Sequence, residues 1–170
     1  GLGGLTTRTD QVTDGLVVRN CRFRQTFADG INMAGGTRNA VVENCHFRGT
    51  GDDALASWAS ERKNNLGPTV NQKFRYNTME CGYRAAGIGI FGGGAHVIHH
   101  NVVRDQYIGA GIRLNTVFVW LDASGPQGYP FNATGDPIRI YDNTLIRTGS
   151  RSLFGEEVGA LELTTRDTAV

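Results

Sequence analysis

The sequence predicts an all-β chain wound as a right-handed parallel β-helix of about five to six coils. Three observations carry that expectation: a glycine-rich composition, a repeat of 24 residues with insertions, and a second short strand at fixed distance from each repeat.

Of 170 residues, 24 are glycine and only 4 are proline. A helix-interior glycine costs about 1 kcal/mol relative to alanine. Short β-branched runs between Gly, Asn and Asp favour strands joined by tight turns instead. Five segments align on an asparagine: LVVRNCRF (Asn20), AVVENCHF (Asn44), KFRYNTME (Asn77), VIHHNVVR (Asn101) and RIYDNTLI (Asn143). Their intervals are 24, 33, 24 and 42 residues, so one period recurs with insertions of 9 and 18. Three residues before each asparagine stands an apolar side chain: Val17, Val41, Phe74, Ile98 and Ile140. A small or β-branched residue follows it: Cys21, Cys45, Thr78, Val102 or Thr144.

The second strand starts 11 residues after the first four asparagines, at Ile31, Leu55, Ile88 and Ile112, and its fifth copy arrives late at Leu161 to Leu163. A unit this short cannot bury its apolar face alone. Stacking successive units buries it and leaves parallel strands about 4.8 Å apart. Inward asparagines stacked at a turn then satisfy one another's amides in a ladder. Leucine-rich repeats are the rival, but their closely spaced leucines and helical half are missing. The insertions at 58–72 and 116–137 are polar loops containing Gly and Pro, the kind that build walls of a binding site on a regular scaffold.

Charge excludes some functions. The 17 basic and 16 acidic residues are interspersed, which gives neither nucleic acid nor an anionic membrane a surface to bind. The longest apolar runs fall well short of the roughly 20 residues of a membrane span. The opening GLGGLTTRTD has no starting Met and no signal peptide, and reads as the middle of a longer chain. Residues 1–170 are therefore expected to form part of a single β-helix domain. Isolated, with uncovered sheet edges, they are expected to be unstable or inactive.

Three carboxylates stand out against the repeat. Asp29 lies two residues before Ile31 and Asp53 two before Leu55, so they occupy one position on adjacent coils, with Asp52 alongside. The next two coils carry Ala86 and Ala110 there, preceded by Ala85 and Gly109. A position that merely solvated a turn would be polar in every copy. Clustered carboxylates repel, so at least one should keep its proton near neutral pH, as acid–base hydrolysis of a glycosidic bond requires. The same residues also suit turn capping or a calcium site. Strict alternation sets Asp29 and Asp53 inward and Asp52 outward. A common cleft therefore requires the turn to break alternation, and Gly30, Gly49 and Gly51 offer the means. Outward positions on the same strand supply Asn32, Trp58, Phe91, Arg113 and Asn115, aromatic and polar groups suited to stacking on sugars and bonding hydroxyls.

These residues resemble a known family. The stretch from ADGIN through TRNAVVENC to FRGTGDDALASW is similar to the catalytic β-helix of glycoside hydrolase family 87, the α-1,3-glucanases (mutanases) and mycodextranases. That family carries an Asp followed 23 and 24 residues later by an adjacent Asp pair, the spacing of Asp29, Asp52 and Asp53. Kinship extends to polygalacturonases and dextranases and to the pectate-lyase-like solenoid. The resemblance implies a secreted, inverting endo-hydrolase of α-glucan, most simply α-1,3-glucan or the α-1,3/α-1,4 glucan nigeran. By analogy with polygalacturonases, Asp52 would be the general acid, with Asp29 and Asp53 activating water across roughly 6.5–9.5 Å. The polygalacturonase His and Arg-x-Lys partners are missing, which argues against a uronic acid; Arg84 and Arg113 are the nearest substitutes. The resemblance implies a polysaccharide as the partner, no cofactor or metal, and a monomeric full-length protein.

Other groups read as structural. His96, His99 and His100 suggest turn or surface packing, with no acid beside them. Cys21 and Cys45 are expected to face one another inside as free thiols. Asn132 to Thr134 form a glycosylation sequon. Two other classes remain open: a non-catalytic adhesin or carbohydrate-binding module, and a polysaccharide lyase in which the acids hold calcium.

Overall fold

The computed structural model describes residues 3–7, 11–59, 66–116, 131, 134–152 and 155–164. Every strand pair among them is parallel, and they form a right-handed parallel β-helix of three sheets with no helix. The first sheet stacks Val17–Arg19, Val41–Glu43, Lys73–Arg75, Val97–His99 and Arg139–Tyr141. The second stacks Arg22–Arg24, His46–Arg48, Thr78–Glu80, Val102–Arg104 and Thr144–Ile146. The third stacks Leu5–Thr6, Ile31–Met33, Leu55–Trp58, Ile88–Phe91, Ile112–Asn115 and Leu161–Thr164. Each coil contributes one strand to each sheet, so residues a coil apart become neighbours.

Inward side chains form columns down the axis. Val18, Val42, Phe74 and Ile98 come from the first sheet, Phe47, Met79 and Val103 from the second, and Ile31, Leu55, Ile88 and Ile112 from the third. Full burial of each is worth roughly 1.5–3 kcal/mol. Phe23 stacks on Phe47, with ring centroids 4.8 Å apart and planes within 4°.

The third-sheet register is the one expected, Ile31–Leu55–Ile88–Ile112–Leu161. The asparagine alignment is not. Val17 pairs with Val41 and Lys73, which places Asn20 and Asn44 level with Tyr76, His100 and Asp142. Those five residues share a left-handed conformation at the corner, with φ between 50° and 59°. The inward position is the next one: Cys21, Cys45, Asn77, Asn101 and Asn143. Likewise the core takes Val18 and Val42, while Val17 is 56% exposed. Adjacent valines hide parity, and a one-residue slip turns a strand inside out.

The ladder therefore begins at Cys45, whose backbone N–H donates to Asn77 Oδ1 (2.9 Å). The Asn77 N–H donates to Asn101 Oδ1 (3.0 Å), and the Asn101 N–H to Asn143 Oδ1 (3.0 Å). The amide of Asn101 also donates to the Phe74 carbonyl at 2.8 Å. Cys21 N–H reaches Cys45 Sγ at 3.5 Å, so sulfur carries the ladder one coil further. Cys45 is buried but Cys21 is exposed, so the two thiols do not both face inward.

Two further expectations change. His96 is buried, and that burial lowers its pKa to about 4. His100 does have an acid nearby, Asp142 at 3.9 Å. The loop expectations at 60–65 and 117–130, and the sequon at Asn132 and Ala133, lie outside the described residues.

Removing a rung leaves two buried backbone groups unsatisfied. Asn101→Ala is expected to destabilise the full-length protein by about 2–4 kcal/mol, with Asn101→Cys costing less because sulfur already serves this position in the neighbouring coils. Chemical denaturation measures the difference; equal losses for the two variants would contradict the ladder.

Candidate active site

The turn between the second and third sheets builds the site. It spans residues 49–54 in the acid-bearing coil and 81–87 in the following one, a residue longer. Backbone bonds lock its end: Gly30 N–H donates to the Asp53 carbonyl (2.9 Å) and Ala54 N–H to the Ala86 carbonyl (3.1 Å). Asp29, Asp53 and Ala86 are thus stacked equivalents, as the repeat predicts. The glycines break alternation here. Gly49 is left-handed (φ 66°), and a Cβ at Gly51 would stand 2.3 Å from the Phe27 carbonyl oxygen.

As a result, one carboxylate oxygen from each of Asp29, Asp52 and Asp53 lies within 4.8 Å of the others. Asp53 is buried, and Asp29 and Asp52 are half-buried. This is tighter than the spacing of roughly 6.5–9.5 Å expected between acid and base in an inverting enzyme.

Each acid has its own partners. Asn32 donates to Asp29 Oδ2 at 2.7 Å. The Ala86 N–H donates to Asp53 Oδ1 at 2.8 Å. Arg84 forms a hydrogen-bonded ion pair with Asp52. Burial raises Asp29 to a pKa of about 6; the charge of Asp52 adds to this, and Asn32 and Arg84 oppose it. Asp53 is pushed well above the carboxylate range by burial first, then by Asp29 and Asp52.

Gly89 explains how Asp53 fits. A Cβ there would stand 2.7 Å from Asp53 Oδ2 and 2.7 Å from Phe91 Cε2. Phe91 therefore leans back over the glycine and walls the carboxylate from water. Trp58 stacks on Phe91, with centroids 3.9 Å apart. Phe91 is itself buried, so of this pair Trp58 offers the accessible surface. Arg113 is buried, bonded to Glu162 at 2.9 Å, and its charge acts on Asp53. Asn115 is buried at the far end of its strand.

The structure thus brings Asp29, Asp52, Asp53, Asn32, Phe91, Trp58 and Arg113 around one turn. Sequence reasoning undervalued Arg84 and missed Glu162. Arg84 stands four residues after Glu80 as Asp52 stands four after Arg48, so counting forward from the second sheet would have paired them. Three oxygens this close could also meet on a hard cation, but the guanidinium on Asp52 already supplies positive charge there.

The family described as the α-1,3-glucanase catalytic domain D2 matches residues 12–156. Among solved structures, the Agl-KA catalytic domain is 38% identical with a TM-score of 0.83, over 97% of this chain and 30% of that one. The catalytic unit of a thermostable GH87 α-1,3-glucanase from Streptomyces thermodiastaticus strain HF3-3 is 30% identical with a TM-score of 0.73, over 88% of this chain and 26% of that one. A GH87 α-1,3-glucanase catalytic-domain variant in complex with tetrasaccharides shares the fold at 22% identity and a TM-score of 0.69, over 99% of this chain and 33% of that one. The chain thus spans a third or less of the length of these structures. No curated protein matches it.

A carboxyl raised in the folded state favours folding below its unfolded pKa, and that contribution is lost as pH rises through the folded value. For Asp29 the window runs from 3.8 to about 6. Asp29→Asn is therefore expected to raise the Tm at pH 7, by a stabilisation of order 1 kcal/mol after solvent screening, and to leave it unchanged near pH 3. Thermal melts at both pH values check this. A second variant, Gly89→Ala, should displace Asp53 and lower kcat at least tenfold. Unchanged kcat would show that the Gly89 gap does not position the acid.

Proposed function

The chain belongs to the family of the α-1,3-glucanase catalytic domain D2, and we propose that its three aspartates hydrolyse α-1,3-glucosidic bonds within an α-glucan, as part of a single β-helix catalytic domain. The observation that carries this is the trio itself: three carboxylates within 4.8 Å, two of them holding protons through burial and one ion-paired.

Hydrolysis needs a proton for the departing glycosidic oxygen and a base for the attacking water. Asp29 suits the first role. It keeps its proton to about pH 6 and, unlike Asp53, is accessible to substrate. Asp52 suits the second, since the Arg84 guanidinium favours its charged form. Asp53, sealed behind Phe91 and bonded to Ala86 N–H, holds the geometry of the pair. This division reverses the one implied by polygalacturonases. An ion-paired carboxylate is better suited to taking a proton from water than to attacking a sugar carbon, which supports a single displacement with inversion. The tight spacing then sets the water on the solvent side of the trio. A polymeric substrate does not cross membranes, so the protein would act outside the cell.

In the full-length protein, Asp29→Asn and Asp52→Asn are each expected to lose roughly 10²–10⁴-fold in reducing-end release from α-1,3-glucan. An aryl α-glucoside with a good leaving group needs no proton, so Asp29→Asn should recover rate on it and Asp52→Asn should not. The opposite pattern would give the acid role to Asp52. Wild-type kcat should fall as pH rises past about 6, where Asp29 loses its proton. Proton NMR should show the β-anomer as first product; the α-anomer first would contradict inversion.

A further inference from the structure

Beside the trio, on the second-sheet side of the same turn, runs a column of aromatic residues with one gap. Gly51 N–H donates to the Thr26 carbonyl, Tyr83 N–H to the Thr50 carbonyl and Tyr107 N–H to the Gly82 carbonyl. In a parallel ladder those bonds set Phe27, Gly51, Tyr83 and Tyr107 level on four successive coils. The next residue along in the two middle coils is Asp52 or Arg84, which are paired. The aromatic column therefore borders the trio on the side opposite Trp58 and Phe91.

These rings are exposed: Phe27 at 83%, Tyr83 at 63% and Tyr107 at 71%. Single exposed aromatics need no explanation, but three at one position of a repeat beside a carboxylate cluster do. Tyr83 and Tyr107 stack, with centroids 5.8 Å apart and planes within 5°. Phe27 makes no ring contact among the described residues, so stacking within the scaffold does not account for it. Between Phe27 and Tyr83 lies Gly51, where the 2.3 Å approach of the Phe27 carbonyl oxygen leaves no room for a side chain. The gap is thus enforced by the backbone.

We propose that Phe27 and Tyr83 form a slot across Gly51 that grips one glucosyl ring of an α-glucan beside Asp52, with Tyr107 backing Tyr83. Two coil spacings separate the gripping residues, about 9.6 Å. A pyranose between two rings at van der Waals contact needs roughly 7–8 Å. Sugar rings present C–H faces that aromatic side chains cover, while the hydroxyls stay toward Arg84 and solvent. The chain would then run along the helix axis, across the turn rather than along the strands. This inference rests on the α-glucan reading and adds to it which residues hold the sugar next to the scissile bond.

The test separates binding from chemistry. In the full-length Asp29→Asn protein, which binds without turnover, affinity for an α-1,3-linked tetraglucoside is measured by titration calorimetry. Adding Phe27→Ala or Tyr83→Ala should each weaken binding roughly 3–10-fold, and Tyr83→Phe should restore it. The Tm should stay constant, since these side chains are exposed. Equal affinity in all variants would overturn the slot even if the parent enzyme cleaves α-1,3-glucan. An inactive parent that still shows the aromatic dependence would sink the hydrolytic reading and keep the slot. No tetraglucoside binding at all would overturn both.

Discussion

The hydrogen-bonded stacking of one coil on the next is the constraint on which the rest of this structure depends. Backbone bonds such as Gly30 N–H to the Asp53 carbonyl fix which residues share a position, and the coil spacing fixes their separation. Two acids at one position of adjacent coils have no freedom to move apart. A third beside them completes a cluster in which the charges cannot all be ionised cheaply. The chemistry of the site is thus a consequence of register.

Charge neighbours decide what each carboxylate becomes. Glu80 sits in the same scaffold, hydrogen-bonded by Arg48 and Arg104 with His46 close by, and its pKa falls to about 2. It works as a tie between coils of the second sheet. Asp29 and Asp53 face burial and each other's company instead, and move the opposite way. Asp52 stands between these cases, with one guanidinium and two acidic neighbours. The scaffold makes ties and reactive groups from the same residue type, and the difference lies in how many cations stack alongside.

Much of this was legible in the residues. The third-sheet register followed from Ile31, Leu55, Ile88 and Ile112, because a single apolar residue begins each strand and admits only one phase. The acid positions inherited that certainty. The first sheet was read one residue out, because Val17–Val18 and Val41–Val42 present two adjacent apolar candidates and both Asn20 and Asn77 look like ladder rungs. What separates them is a left-handed corner, a backbone state that Asn, Tyr, His and Asp all adopt here. Arg84 was hidden by the extra residue in its turn, and Glu162 by the long insertion before its strand. Side-chain lean, such as Phe91 folding back over Gly89 onto Asp53, has no signature in strand parity.

The central claim is that stacking and burial force a proton onto Asp29 at a pH where an ordinary aspartate has lost it. Titrating the aspartate carboxyl carbons of the full-length protein by ¹³C NMR tests this directly. The account predicts a resonance with a midpoint near 6 that disappears in Asp29→Asn. A set of carboxyls that all titrate in the ordinary aspartate range would contradict it.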